Sequence, residues 1–167
     1  GGLALAIASG VALADHGATE PDTIIPVEAD RPANRMNDGK CDPAGRFWAG
    51  TMAYSGAPGA GSLYRLDPDL SVTVMLSGVT LSNGLGWSPD HQTMYYVDTA
   101  THGVDSFEFD LGTGAIAERR RLIDIPTEHG LPDGMTVDSD GGLWIALWGG
   151  GAVHRYLPDG TLDLIVD

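Results

Sequence analysis

The chain has 167 residues and carries 9 Lys and Arg against 23 Asp and Glu, a formal net charge of −14 at pH 7. Phosphate backbones and anionic membrane surfaces bind basic faces, so nucleic acid and membranes are excluded as expected partners. The single cysteine excludes an internal disulfide and a cysteine-based zinc site, and 24 Gly with 10 Pro argue against long helices.

The first fourteen residues are apolar and could be a secretory signal or a pair of short strands. Leu3, Leu5 and Ile7 alternate with smaller residues, and Gly10 interrupts the run before Val11. No positive residue precedes the run, and it is too short to span a bilayer. We therefore predict two strands here. With one cysteine and no visible export signal, the expected location is the cytoplasm.

Three segments of the chain align with one another without a gap. They are NDGKCDPAGRFWAG from Asn37, NGLGWSPDHQTMYY from Asn83 and DGMTVDSDGGLWIA from Asp133. Each begins with Asn or Asp, passes through a turn and ends in an apolar strand. Their starts are 46 and 50 residues apart, which is the period of a four-stranded propeller blade, about 40–50 residues.

Alternating apolar residues between these segments predict further half-buried strands, at Val72–Leu76, Phe107–Phe109 and Leu162–Val166. The stretch 115–125 could be helical, but nearby glycines and the repeat period favour strands. The predicted fold is all-β, a β-propeller. Its blades are residues 1–30 (the end of one), 34–78, 80–126 and 130–167 (part of another). A complete four-bladed propeller and a piece of a longer protein remain alternatives at this point.

The repeat also predicts a site. In a propeller the first strand of each blade lines the central channel, so equivalent positions face one another. Asn37, Asn83 and Asp133 share one such position. One carboxylate and two amide oxygens suit a hard cation such as Ca²⁺, Mg²⁺ or Mn²⁺. Because Asn and Asp before Gly are also common turn residues, a metal site and three turns are both consistent with the repeat.

Other candidate residues have simpler interpretations. The five histidines lack ligand spacing and are expected in turns or on the surface. Cys41 is expected to be a small buried residue, and Trp48, Trp144 and Trp148 are expected in the core. Residues 138–141 predict a hairpin turn rather than a calcium loop, because the twelfth position lacks the glutamate of an EF-hand.

The quoted motifs resemble a known family. Residues 35–40 (RMNDGK), 42–46 (DPAGR) and 49–52 (AGTM), then 82–85 (SNGL) and 132–135 (PDGM), are similar to three signatures of the SMP-30/gluconolactonase/luciferin-regenerating-enzyme family. Their order and spacing match over essentially the whole chain. The resemblance implies a six-bladed propeller with one divalent metal in its channel. It identifies this chain as an internal fragment of roughly three to four blades.

The resemblance also implies roles for individual residues. Asn83 and Asp133 match the metal ligands, Asp133 also matches the general base, and Arg35 and Asn37 match contacts to the sugar substrate. The cofactor is one divalent cation, Ca²⁺, Zn²⁺, Mn²⁺ or Mg²⁺. The implied reaction is metal-dependent hydrolysis of a small sugar lactone to the aldonic acid. The metal polarises the ring carbonyl while Asp133 takes a proton from the attacking water.

Two departures from the family pattern affect these expectations. The family's remaining metal ligand, a Glu in the first blade, has no counterpart here, and Ser55 stands near an acidic substrate contact of animal members. The chain alone is therefore expected to be a weak or inactive lactonase. The alternative is a non-enzymatic calcium-binding propeller that acts as a buffer or interaction module. Arg35 favours the enzyme, because a cation site gains nothing from a nearby cation.

Overall fold

The structure, a computed structural model, describes residues 2–167. The prediction of an all-β fold is confirmed: these residues form strands β1–β15 and two short 3-10 helices, Thr99–Thr101 and Thr127–His129. No helix within them is long and apolar enough to cross a membrane.

The strands form four sheets in which strands consecutive in the chain are neighbours. The first sheet contains β1 (Gly2–Ile7), β2 (Gly10–Asp15) and β3 (Thr23–Pro26). The second contains β4 (Asn34–Cys41), β5 (Phe47–Ala53), β6 (Gly61–Leu66) and β7 (Val72–Val79). The third contains β8 (Ser82–Trp87), β9 (Thr93–Asp98), β10 (Gly103–Phe109) and β11 (Ile116–Asp124). The fourth contains β12 (Leu131–Val137), β13 (Leu143–Trp148), β14 (Ala152–Tyr156) and β15 (Leu162–Val166).

Two ambiguous stretches of the sequence are strands. The apolar N-terminal run forms β1 and β2, which pair antiparallel with Leu3 opposite Ala14. The stretch around residues 115–125 forms β11, which pairs antiparallel with β10 and places Ile123 opposite Val104. Both predictions of strands are confirmed. Ile123 and Val104 are buried, so this pair contributes apolar burial that a solvated helix would not provide.

The chain divides into two compact units, each with its own core. The first unit comprises residues 2–39 and Arg46–Ser82. Its core consists of buried residues from the first two sheets and the segment between them: Val11, Val27, Met36, Phe47, Ala49 and Leu66. The second unit comprises Lys40–Gly45 and Asn83–Asp167. Its core consists of residues from the last two sheets and adjoining segments: Tyr95, Val97, Val104, Ile123, Ile125, Met135, Leu143, Ile145, Leu147 and Tyr156.

The turn that follows the first strand of each repeat is held by a side chain at one equivalent position. Asp42 and Asp138 each accept a hydrogen bond from the amide two residues on, at 2.9 and 3.0 Å. Ser88 accepts one from the Thr93 amide at 3.0 Å. The predicted hairpin turn at residues 138–141 is confirmed. Local bonds of this type satisfy backbone donors where the strand ladder stops.

Alternation predicted some strands correctly but not their burial. Phe107 and Phe109 are buried, as expected for an inner face. In contrast, Leu162, Leu164 and Val166 are 42%, 46% and 47% exposed, so the prediction of a half-buried β15 is wrong. The reason is position: β15 is the outermost strand of its sheet and pairs only with β14. Both of its faces are exposed.

Three expectations about single residues are also wrong. Trp148 was expected in the core and is 69% exposed, because it ends β13 on the face opposite the buried Leu147. Cys41 was expected to be buried and is exposed at the end of β4. His154 was expected in a turn or on the surface and is buried in β14, between β13 and β15. Trp48 is fully buried, as predicted.

Candidate functional site

The first half of β4 carries the two predicted substrate residues, and they contact each other. Arg35 Nη1 donates hydrogen bonds to Asn37 Oδ1 at 2.8 Å and to the Met36 carbonyl at 2.9 Å. Asn37 Nδ2 donates to the Ser82 carbonyl at 2.7 Å. Both side chains are half-buried. Because these bonds fix the orientation of both side chains, Arg35 and Asn37 are preorganised as a donor pair.

Asn83, the first predicted metal ligand, is the second residue of β8 and is 7% exposed. Its Nδ2 donates a hydrogen bond of 2.8 Å to Thr99 Oγ1. Thr99 Oγ1 in turn donates one of 2.7 Å to the carbonyl of Pro132. The amide of Asn83 is therefore connected, through one hydroxyl, to the residue that precedes Asp133.

Asp133, the second predicted ligand, lies near the start of β12 and is half-buried. It lines a surface cavity of about 370 Å³ that also includes Trp148. The backbone at Gly84 packs against this segment so closely that an added Cβ would lie 2.8 Å from the Asp133 carbonyl and 2.5 Å from Met135 Cβ. The structure thus brings the backbones that carry Asn83 and Asp133 side by side, and glycine at position 84 permits this approach.

Lys40 makes a further long-range contact to β12. Its Nζ donates a hydrogen bond of 2.7 Å to the carbonyl of Met135, two residues after Asp133. Lys40 lies in the signature at residues 35–40, and no sequence pattern predicted its contact with β12. The bond ties the end of β4 to the strand that carries the predicted base.

Glu28 is a buried carboxylate that no sequence pattern indicated. Its side chain is 5% exposed and accepts hydrogen bonds from Asn34 Nδ2 at 2.8 Å, Tyr64 Oη at 2.7 Å and Thr51 Oγ1 at 3.1 Å. Burial, reinforced by the hydrogen bond to Glu28, raises the pKa of Tyr64 to about 12. Since Asn34 directly precedes Arg35, this cluster braces the start of β4. In the sequence Glu28 stands among loop-like residues, so nothing there signals its burial.

A contact between two histidines, His129 and His154, was also not predicted. The rings of His129 and His154 meet edge to face with centroids 5.2 Å apart, and His154 Nδ1 lies 3.2 Å from Tyr156 Oη. Burial lowers the pKa of His154, and the proximity of His129 lowers it further. The two residues are distant in sequence and follow no ligand spacing, so only the fold brings them together.

The side chains of Asn83 and Asp133 can be compared with the ligands that a divalent cation requires. Within residues 2–167 there is no group of three or more His, Cys, Asp and Glu side chains that could hold a metal. Asn83 and Asp133 instead offer one amide and one carboxylate oxygen on adjoining segments. These are hard ligands of the type that Ca²⁺, Mg²⁺ and Mn²⁺ accept, and such ions complete their shell with water or substrate oxygens. The pair therefore fits part of a hard-cation site.

Comparison with protein families identifies the chain. Residues 1–167 match the family described as the SMP-30/Gluconolactonase/LRE-like region. The chain belongs to this family. Regucalcin from Gallus gallus is 47% identical over 142 residues, which cover 82% of this chain and 48% of that protein. The chain thus spans about half the length of the curated relatives that it matches.

Solved structures of the SMP-30/gluconolactonase family have the same fold. The calcium-binding protein regucalcin from Agrobacterium tumefaciens matches with a TM-score of 0.90 and 34% identity, over 98% of this chain and 56% of that one. A gluconolactonase from Xanthomonas campestris matches with a TM-score of 0.76 and 27% identity, over 92% and 54% of the respective chains. The four-stranded antiparallel sheets are therefore those of the propeller-like family fold.

Proposed function

We propose that the protein containing this chain is a metal-dependent sugar lactonase, which hydrolyses a lactone to its aldonic acid. The observation that carries the proposal is the packing of Gly84 against Asp133 and Met135, which puts an amide and a carboxylate from two family signatures on adjoining segments. Membership of a family that includes gluconolactonases supports it. We also propose that the four sheets are part of a six-bladed propeller.

The chain's own residues supply most of the proposed chemistry. Asn83 and Asp133 hold the divalent cation, which when bound polarises the lactone carbonyl and stabilises the developing negative charge. Asp133 is half-buried and lines a cavity, so water can reach this residue. It accepts the proton that the attacking water loses, in the role of a general base.

Arg35 and Asn37 have the role of orienting the substrate. A sugar lactone presents hydroxyl and carbonyl oxygens, which accept hydrogen bonds from guanidinium and amide N–H groups. The mutual bond of 2.8 Å between Arg35 and Asn37 holds both donors in place before substrate arrives. Preorganisation of this type lowers the entropic cost of aligning the reacting carbonyl with water.

A second candidate function has its own support. The related regucalcin from Agrobacterium tumefaciens is described as a calcium-binding protein. A non-enzymatic calcium-binding propeller would use the same oxygens of Asn83 and Asp133 but would have no use for Arg35. The two candidates therefore predict the same response to a ligand substitution and different responses to a lactone.

The experiment that separates them measures cation binding and lactone hydrolysis on one preparation. The protein is expressed from the complete reading frame, freed of metal with a chelator, and titrated with Ca²⁺, Zn²⁺, Mn²⁺ and Mg²⁺ by calorimetry. Gluconolactone hydrolysis is then followed by acid release, before and after metal is restored. The test variant is Asp133→Asn, and Asp140→Asn is its control, because Asp140 is exposed.

Each outcome favours one candidate. Metal-dependent hydrolysis that Asp133→Asn lowers by about 10²–10⁴-fold, the range for a general base, supports the lactonase. Cation binding without hydrolysis supports the calcium-binding protein. Absence of both, with Asp140→Asn behaving as wild type, refutes both candidates.

A further inference from the structure

Thr99 lies between the two proposed metal ligands and is itself no part of either signature. It is 6% exposed and begins the 3-10 helix Thr99–Thr101, directly after β9. Its hydroxyl has two partners, Asn83 Nδ2 at 2.8 Å and the carbonyl of Pro132 at 2.7 Å. Both hydrogen bonds are buried, so competition from water is weak and each group depends on its partner.

The direction of these two bonds follows from chemistry. A backbone carbonyl can only accept, so the single proton of the Thr99 hydroxyl points to Pro132. The hydroxyl oxygen must then accept from its other neighbour. The branch of the Asn83 amide that faces Thr99 is therefore the N–H₂ group. It follows that the other branch, which faces away from Thr99, is the carbonyl oxygen Oδ1.

This orientation matters because the two branches of an amide have opposite uses at a cation. An amide oxygen is a metal ligand, whereas an N–H₂ group presents protons and repels a cation. The terminal torsion of an amide is broad and two-fold, so loss of the partner of its N–H₂ group favours a turn of half a revolution about that bond. Each such turn would replace the ligand oxygen by a hydrogen-bond donor.

We propose that Thr99 is a positioning residue that orients the Asn83 amide so that its oxygen, and not its nitrogen, serves as the cation ligand. The inference rests on the proposed function, because it assumes a divalent cation at Asn83 and Asp133. It adds that one buried hydroxyl determines whether the Asn83 amide presents its oxygen or its nitrogen to the cation. The same hydroxyl anchors the Pro132 carbonyl, so it also links the peptide that precedes Asp133 to the orientation of Asn83.

The repeat alignment could not have revealed this residue. Thr99 lies 16 positions after Asn83. The corresponding positions in the other two repeats are occupied by Ala53 and Gly149, neither of which has a side-chain hydroxyl. Thr99 is therefore a feature of one repeat, and its proximity to Pro132 results from the packing of β12 beside the short helix.

The test is cation affinity, measured by calorimetry with Ca²⁺ and with Mn²⁺ on the metal-free full chain. Thr99→Val keeps the shape of the side chain and removes the hydroxyl, and Thr99→Ser keeps the hydroxyl. Thr101→Val is the matched control, because Thr101 lies in the same short helix and its hydroxyl bonds instead to the Asp98 carbonyl at 2.8 Å. Circular dichroism checks that each variant is folded.

We expect Thr99→Val to weaken cation binding by about 10–100-fold, the usual loss when a partner of a metal ligand is removed. Thr99→Ser and Thr101→Val should bind as wild type does. If Thr99→Val proves unfolded, Thr99→Asn provides a second test, because its side chain can also act as donor and acceptor. Wild-type affinity in a folded Thr99→Val protein would overturn the inference.

A second comparison separates orientation of the amide from general loosening of the fold. In an Asn83→Asp background both branches of the side chain end in oxygen, so reversal of the side chain has no consequence. Thr99→Val should then weaken binding much less than it does beside Asn83, whereas an equal loss in both backgrounds would contradict the proposal.

If wild type binds no cation, the proposed function fails and this inference fails with it. If wild type binds, Asn83→Ala weakens binding and Thr99→Val does not, this inference alone is wrong.

Discussion

The phenol of Tyr64 donates a hydrogen bond of 2.7 Å to the carboxylate of Glu28, whose side chain is 5% exposed. The Asn34 amide donates to the same carboxylate, and Arg31 lies 3.5 Å from it. A buried carboxylate is stable only when donors compensate for its lost hydration. This relationship therefore stabilises the segment that leads into Arg35.

Removal of the Tyr64 hydroxyl should destabilise the fold. We expect Tyr64→Phe to lower the free energy of unfolding by about 1–3 kcal/mol, because a buried acceptor loses one of its donors. Urea denaturation followed by circular dichroism measures the change. Tyr54→Phe is the matched control, since Tyr54 is 61% exposed. Identical unfolding midpoints for Tyr64→Phe and wild type would contradict the assigned role of Glu28.

The same contact predicts how stability depends on alkaline pH. Burial and the hydrogen bond to Glu28 raise the pKa of Tyr64 from 10.0 to about 12. Folding therefore favours the neutral phenol of Tyr64. The contribution of this neutral phenol to the free energy of unfolding is complete below pH 10 and is lost as the pH rises towards 12. Burial also raises the pKa of Tyr95 and of Tyr156. Absorbance of tyrosinate should therefore show several late-titrating groups, and Tyr64→Phe should remove one of them. An unchanged late-titrating amplitude in Tyr64→Phe would assign the shift to other tyrosines.

Acid should destabilise the fold through protonation of His154. Burial and the neighbouring His129 lower the pKa of His154 below its ordinary value of 6.5. The folded state favours the neutral ring, so this contribution to stability is complete above pH 6.5 and is lost as pH falls through the lowered value. Urea midpoints between about pH 7.5 and 5.5 should decrease in wild type and decrease less in His154→Leu. The control His16→Leu, at an exposed site, should follow wild type. If the urea midpoint of His154→Leu falls as much as that of wild type, the assignment to His154 is refuted.

Arg35 offers a kinetic prediction for the proposed lactonase. Arg35→Ala should raise KM by about 10–100-fold, which corresponds to loss of a charged hydrogen bond of about 1.5–3 kcal/mol. The rate constant kcat should change less, because Arg35 orients the substrate and takes no part in proton transfer. Calorimetry should show unchanged cation affinity. Arg120→Ala, which alters a side chain that is 68% exposed, serves as control. Loss of cation binding in Arg35→Ala would assign Arg35 to the metal site.

The strands could be predicted from the sequence because their signals are local. Period-two alternation and turn residues identify β10 and the hairpin at residues 138–141 within a few positions, and the gapless repeat aligns Asn37, Asn83 and Asp133. The family signatures supply roles for those same positions. All of these signals are present in short windows of the chain, so no knowledge of tertiary packing is needed.

The residues that support the site could not be predicted, because their roles depend on contacts between distant segments. Glu28 meets Tyr64 across 36 positions, and Thr99 meets Pro132 across 33. The prediction of which apolar side chains are buried failed for a related reason. Leu164 and Trp148 have apolar side chains like those of the core, but no part of the described structure buries them. The sequence specifies which side chains are apolar, and tertiary packing decides which of them are buried.

The position of β15 at the rim of its sheet has a consequence for amide hydrogen exchange. In an antiparallel pair, alternate residues of a strand direct their N–H groups to the neighbour and the others direct them away. Because β15 has β14 as its one neighbour in the sheet, amides that point away from β14 open to solvent. The pairing is regular from Leu164 to Val166, and a register shift beside Asp163 breaks the alternation before it. Within residues 164–166, deuterium should therefore enter outward-facing amides faster than those that face β14. Any segment that pairs with the outer edge of β15 would slow the fast amides, so their labelling reports on occupancy of that edge.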